Sequence, residues 1–396
     1  MKPSSFRLYF IDLIRAFAIC MMLQGHFTDS LLGHEFRDPN NIFYSVWLYF
    51  RGITAPTFFT VSGFIFTYLL IKDTVHTGWN NIRVSKGIRR GITLVLVGYA
   101  LRTNMAGLLM GRIYDGFYMV DVLQCIGISL MLIITVYLLT LKAPKWVMPL
   151  MLLSATVFLF AFEPIYSKLS FDYLPKMFAN YFTKANGSVF TIFPWFGYAA
   201  FGSFMGYVFN YFKERKNMYS YAVVITLITG LALLFGSSPF FNKMYEWTNI
   251  SLFHNIYSNN YLFARLGNVL LSFAIFMILQ NVITSRKIRE IGQNTLSIYI
   301  IHFMLLYGSF TGLGLYKYFN HQLHPYIVVP GAILFVITNV FISFKYNLYK
   351  PDFDEKVAIA KQEVMLWIIG GYYLLINLGI KIKQKVDSLL STYRNS

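Results

Sequence analysis

The chain has 396 residues, of which 56% are hydrophobic and only 13% charged. Soluble domains carry about 25% charge, and the apolar residues here fall in long runs, which excludes a soluble enzyme and makes this a polytopic membrane protein. A net charge of +17 would suggest nucleic acid in a soluble chain; here Lys- and Arg-rich cytoplasmic loops explain it, so no nucleic-acid partner is expected.

In chain order, spans are predicted at roughly 8–32, 44–71, 87–108, 118–140, 146–162, 190–212, 218–237, 259–282, 292–311, 325–344 and 363–382. The expected fold is an all-α transmembrane helix bundle. A ten-span core occupies a domain over residues 1–345, and residues 346–396 carry a cytoplasmic linker, an eleventh helix and a tail. The N-terminus and the connections on its side of the membrane, among them the loops around 72–86, 213–217 and 284–291, hold far more Lys and Arg than the opposite loops, which places the N-terminus in the cytoplasm and the protein in the inner (cytoplasmic) membrane. The connections 163–189 and 238–258 on the other side are long and aromatic, with Tyr173, Tyr245, Trp247 and His254. Aromatic residues anchor at membrane interfaces and also stack on sugars. Cys20 and Cys125 both lie in apolar runs, and no metal-ligand spacing is present, so no metal is expected.

The first span holds Arg15 and His26, both rare within a membrane. Eleven helical steps return to nearly the same face about 16 Å along the axis. Half a bilayer core is about 15 Å, so one helix face carries a cation at one depth and an imidazole at another. Two polar clusters follow by depth. The outer holds His26, Asp29, Arg51, Arg102, Asp121, Gln124, Arg265, Asn268 and His302. The inner holds Asp12 and Arg15, with Arg83, Lys86, Arg89 and Arg90 before the third span and Gln293 and Asn294 before the ninth. Each such group is costly in lipid, so they should face inward and find partners. Pro56, Gly63, Gly197, Gly202 and Gly206 mark the second and sixth spans as closely packed and kinked.

The pattern Arg15, ten residues, then His26 resembles the first-span motif of the acyltransferase family 3 clan and, within it, bacterial relatives of heparan-α-glucosaminide N-acetyltransferase. Asp12-Leu-Ile-Arg15 and Phe58-Phe-Thr-Val-Ser-Gly-Phe64 resemble the clan. Arg51-Gly-Ile-Thr-Ala-Pro56, Asp121-Val-Leu-Gln124 and Phe193-Pro-Trp-Phe-Gly-Tyr198 are more like the glucosaminide branch, and Gly292 to His302 matches a late-span pattern of both. Ala16 departs from the pattern, where Gly is common, and Lys86 to Arg90 fits only a general Arg-rich pattern.

The resemblance implies transfer of an acyl group, with acetyl-CoA the expected donor, from cytoplasmic acyl-CoA to an extracytoplasmic saccharide or lipid-linked acceptor. Arg15, Arg83, Lys86, Arg89 and Arg90 would take the CoA phosphates. His26 would act as general base, with Asp29 or Asp121 holding its tautomer and His302 as the alternative base. Arg51, Arg102 or Arg265 would stabilise the oxyanion, and Gln124 and Asn268 would help bind substrate. The competing readings are a transporter of an anionic substrate and a non-enzymatic component of an envelope machine. Assembly into a homo-oligomer is left open.

Overall fold

The computed structural model describes residues 8–72 and 75–350. The chain divides into two compact units, Met1–Val340 and Phe341–Ser396, and every site residue below lies in the first. The described residues are helical, with two isolated bridges, Leu32 to Leu323 and Asn104 to Phe310. The helices that matter are α1 Tyr9–Leu31, α2 Ile42–Leu70, α3 Ile82–Leu101, α4 Val122–Leu139, α5 Val147–Ala161 and α6 Ile192–Phe212. They are followed by α7 Met218–Thr248, α8 Ser251–Ser258, α9 Tyr261–Leu279, α10 Arg286–Gln293, α11 Thr295–Tyr307 and α12 Pro325–Lys350.

Among the described residues six helices are long and apolar enough to cross a membrane: α1, α2, α4 with the turn before it (Asp115–Leu139), α7, α9 and α12. Helices α5 and α11 are apolar but shorter. The segment at 363–382 expected to form a last helix lies outside the described residues.

Local chemistry sets the helix starts. Asn41 Oδ1 accepts the amides of Phe43 and Tyr44 and begins α2. Asn81 Oδ1 accepts the Arg83 amide at 2.8 Å, while its Nδ2 donates to the Leu70 carbonyl. One buried asparagine therefore starts α3 and ties it to the end of α2. Asp121 and Gln124 close a capping box at the start of α4.

Packing is tightest between α2 and α6 and between α3 and α4. A Cβ on Gly63 would overlap the Ala199 carbonyl, and one on Gly202 or Gly206 would overlap the carbonyl of Thr60 or Phe64. Gly91 and Gly127 face each other in the same way between α3 and α4. Small residues let membrane helices approach to backbone contact, where dispersion and polar contacts replace the missing hydrophobic force.

Two expectations change. The connection 238–258 is helical: α7 runs on to Thr248 through a π-helical turn at Ala232–Gly236, and α8 follows. Pro239 interrupts the regular hydrogen-bond ladder just after the π-helical turn, and the helix continues past this irregularity to Thr248. The third span ends early, with Arg102 as its C-cap. The next residues instead pair with the 308–312 turn, through Phe310 N to Thr103 O and Met105 N to Phe310 O.

Candidate active site

His26 lies on α1 at the edge of a cavity of about 700 Å³, lined also by Asp29, Arg51, Arg102, Asp121, Trp195, Arg265, Phe303 and Tyr307. Its Nδ1 is 3.3 Å from Nε2 of His302 and 3.4 Å from the Tyr307 hydroxyl. His302 is fully buried on α11. Ser30 donates to the Tyr307 oxygen at 3.3 Å. The imidazole of His26 is thus held from α11 through one nitrogen.

The carboxylates of Asp29 and Asp121 contact arginines and not the His26 ring. Asp29 Oδ2 lies 2.6 Å from Arg51 Nη2, and Arg37 also reaches Asp29. Asp121 Oδ2 lies 2.9 Å from Arg102 Nη2, and its Oδ1 accepts the Val122 amide at 2.8 Å. Asp29 and Asp121 therefore fix arginines at the cavity wall, and the groups against the His26 ring are His302 and Tyr307. Arg265 lines the wall with its guanidinium 5.5 Å from the Tyr261 ring centroid.

Gln124 and Asn268 are buried off the cavity. The Gln124 amide oxygen accepts the Asp121 backbone N–H at 3.1 Å. Asn268 Oδ1 accepts the Tyr49 hydroxyl at 2.7 Å. Both shape the wall from behind.

A second cavity of about 300 Å³ is lined by Arg15, Arg83, Lys86, Arg90, Ser62, Thr295 and Tyr299, among others. Arg15 Nη2 donates to Thr295 Oγ1 at 2.8 Å, and Gln293 Nε2 donates to Asp12 Oδ2 at 3.2 Å. The Gln293 contact lies where α10 crosses α1 closely, since a Cβ on Gly292 would overlap the Asp12 carbonyl. Arg89 lies off this cavity: positions 83, 86 and 90 share a helix face, and 89 does not.

The two cavities divide the same helices by depth. On α1 the smaller takes Arg15 to Met22 and the larger Met21 to Asp29. On α2 the larger ends and the smaller begins at Phe58. On α11 the smaller takes Thr295 to Tyr299 and the larger Phe303 to Tyr307. Met22, Phe58 and Val122 line both, so the two cavities lie on either side of a shared apolar wall.

Sequence reasoning missed Tyr307 and the wall shared by the two cavities. Tyr307 has one local signal, its place in the last turn before Gly308, whose φ of 71° stops the helix. Met22, Phe58 and Val122 look like ordinary core residues, and only the bundle brings them together. Among the described residues there is no group of His, Cys, Asp and Glu that could hold a metal.

A family described as heparan-alpha-glucosaminide N-acetyltransferase, catalytic, matches residues 7–241. The matched region carries Arg15, His26, Asp29, Arg51, Arg83, Arg90, Arg102 and Asp121; Arg265, His302 and Tyr307 lie beyond it. No curated protein matches the chain.

Proposed function

The chain belongs to the heparan-α-glucosaminide N-acetyltransferase catalytic family, which points to a membrane acetyltransferase, and we propose that it moves the acetyl group of cytoplasmic acetyl-CoA to a hydroxyl or amine of an extracytoplasmic glycan or glycolipid. The observation that carries this reading is the pair of cavities sharing Met22, Phe58 and Val122. One is cationic and the other holds His26. Phosphates suit Arg15, Arg83, Lys86 and Arg90, where guanidinium groups bind them bidentately. The uncharged, narrow pantetheine arm would pass between Met22, Phe58 and Val122 when these side chains part, and so bring the thioester into the larger cavity beside His26.

There the acceptor's oxygen or nitrogen attacks the thioester carbon while His26 Nε2 takes its proton. The tetrahedral intermediate carries an oxyanion, which Arg51, Arg102 and the Tyr307 hydroxyl, all lining this cavity, would stabilise. The intermediate collapses by breaking the carbon–sulfur bond. The CoA thiolate leaves and takes the proton back from the His26 imidazolium. His302 acts as a positioning residue: with Nε2 accepting from His26 Nδ1–H, it keeps Nε2 of His26 free for the acceptor.

The cytoplasmic N-terminus and the inner-membrane location belong to this reading, as do the ten-span core and the appended helix. The Lys- and Arg-rich loops support the orientation.

The deciding experiment follows acetyl-CoA turnover by protein purified in nanodiscs. General-base assistance is worth about 10² to 10⁴ in rate, so His26→Ala should lose that much while acetyl-CoA still binds. A folded His26→Ala protein turning over at the wild-type rate would overturn the assignment.

A further inference from the structure

Three arginines line the larger cavity, and two have carboxylates. Arg51 pairs with Asp29 and Arg102 with Asp121. Arg265 differs: among the described residues no carboxylate lies within 4.0 Å of it, and none of its N–H groups donates a hydrogen bond to the protein. Its guanidinium rests on the Tyr261 ring and against the α2 backbone at Gly52, where a Cβ would stand 2.9 Å from its Nη2. Gly52 thus lets the flat group lie close to α2 and keeps it in the wall of the cavity.

A guanidinium in a membrane span is expensive, and spans keep such groups for a partner or a ligand. With Asp29 and Asp121 committed, the larger cavity holds one positive charge in excess. Resting on the acetyltransferase reading, we propose that Arg265 binds an anionic oxygen group on the acceptor, a carboxylate or a phosphate. The acceptor is then an acidic saccharide or a sugar joined to a phosphate, and not a neutral glycan. The donor's phosphates are the other candidate anions. They are served by Arg15, Arg83, Lys86 and Arg90 in the smaller cavity, to which α9, the helix of Arg265, contributes no lining residue. A planar fork of donors favours a two-oxygen anion over a single hydroxyl.

The test uses the full-length protein in nanodiscs with methyl glucoside, methyl glucuronide and glucose 1-phosphate as probes. Each is titrated for equilibrium binding, then offered as acceptor with acetyl-CoA. A charge-assisted pair corresponds to about tenfold or more, so one or both anionic probes should bind at least that much tighter than methyl glucoside. The preference should weaken with salt, vanish in Arg265→Gln and return in part in Arg265→Lys, which restores the charge but not the fork. Preference for the glucuronide alone identifies a carboxylate, and preference for the sugar phosphate alone a phosphate. Equal binding of all three probes, no binding of either anion, or a preference that survives Arg265→Gln would overturn the proposal. So would weakened acetyl-CoA binding in Arg265→Gln with acceptor preference intact. Arg265-dependent anion binding without acetyl transfer either to these probes or to glucosamine 1-phosphate, which adds an amine, would refute the acetyltransferase reading alone. Transfer to neutral sugars regardless of residue 265 would refute this proposal alone.

Discussion

At the scale of single residues, His26 depends on its neighbours more than on its own helix. His302 and Tyr307 face its Nδ1, while Asp29, one turn along α1, is held by Arg51. His302→Ala should therefore lower kcat by roughly 10²-fold, near the low end of general-base assistance, with little change in acetyl-CoA affinity. His302→Gln, which keeps a hydrogen-bond acceptor, should recover part of that loss; equal kcat in both variants would show that tautomer control is not its role. A second residue-scale device joins the end of α1 to the turn around His321. Arg37 Nη2 lies 2.6 Å from His321 Nδ1, and Arg37 also holds the Leu32 carbonyl and reaches Asp29. An arginine only donates, so His321 must accept and its ring must be neutral. Burial first, then the charges of Arg37 and His34, hold the His321 pKa below its ordinary value. The folded state thus disfavours the proton. This contact stabilises the protein above the ordinary histidine value of about 6.5 and loses that contribution as pH falls through and below it. Melting temperature in detergent should fall more steeply on acidification for the wild type than for His321→Gln, which accepts without titrating. Parallel curves would remove His321 from the account.

At the scale of elements, helix faces sort the basic residues. Arg83, Lys86 and Arg90 line the smaller cavity from one face of α3, and Arg89 points elsewhere. Arg90→Gln should weaken acetyl-CoA binding severalfold, and Arg89→Gln should leave it close to wild type in the same titration; the reverse order would mean that α3 presents its other face to the donor. The α2–α6 contact is the element pair on which the larger cavity's wall depends. Gly202→Val would drive a side chain into the Thr60 carbonyl, and overpacking of this kind costs about 1–3 kcal/mol. Gly236→Val meets nothing within 4 Å and serves as the comparison. A markedly lower melting temperature is expected for Gly202→Val only.

At the scale of the whole molecule, orientation decides the direction of transfer. If the loops around 72–86, 213–217 and 284–291 are cytoplasmic, single cysteines placed there, with Cys20 and Cys125 replaced, should resist an impermeant thiol reagent in intact cells. Labelling of all three would reverse the direction of acetyl transfer. Much of this molecule is legible one residue at a time. Apolar runs of bilayer length place most of the helices, since hydrocarbon demands a closed hydrogen-bonded backbone. The spacing of Arg15 and His26 puts two chemistries at two depths of one helix, because helical periodicity is local geometry. The glycines of α2 and α6 announce close packing because only a missing Cβ admits a neighbouring backbone. Pairings between helices are another matter. Nothing local joins His26 to His302 across 276 positions, or Arg102 to Asp121 across 19. The same holds for which of Arg89 and Arg90 meets the smaller cavity, and for leaving Arg265 without a carboxylate among the described residues; the Gln124 cap, by contrast, is a local pattern three residues from Asp121. The outcomes between helices depend on which helix faces meet, and that is set by the packing of all the helices together, a property no short stretch of the chain carries.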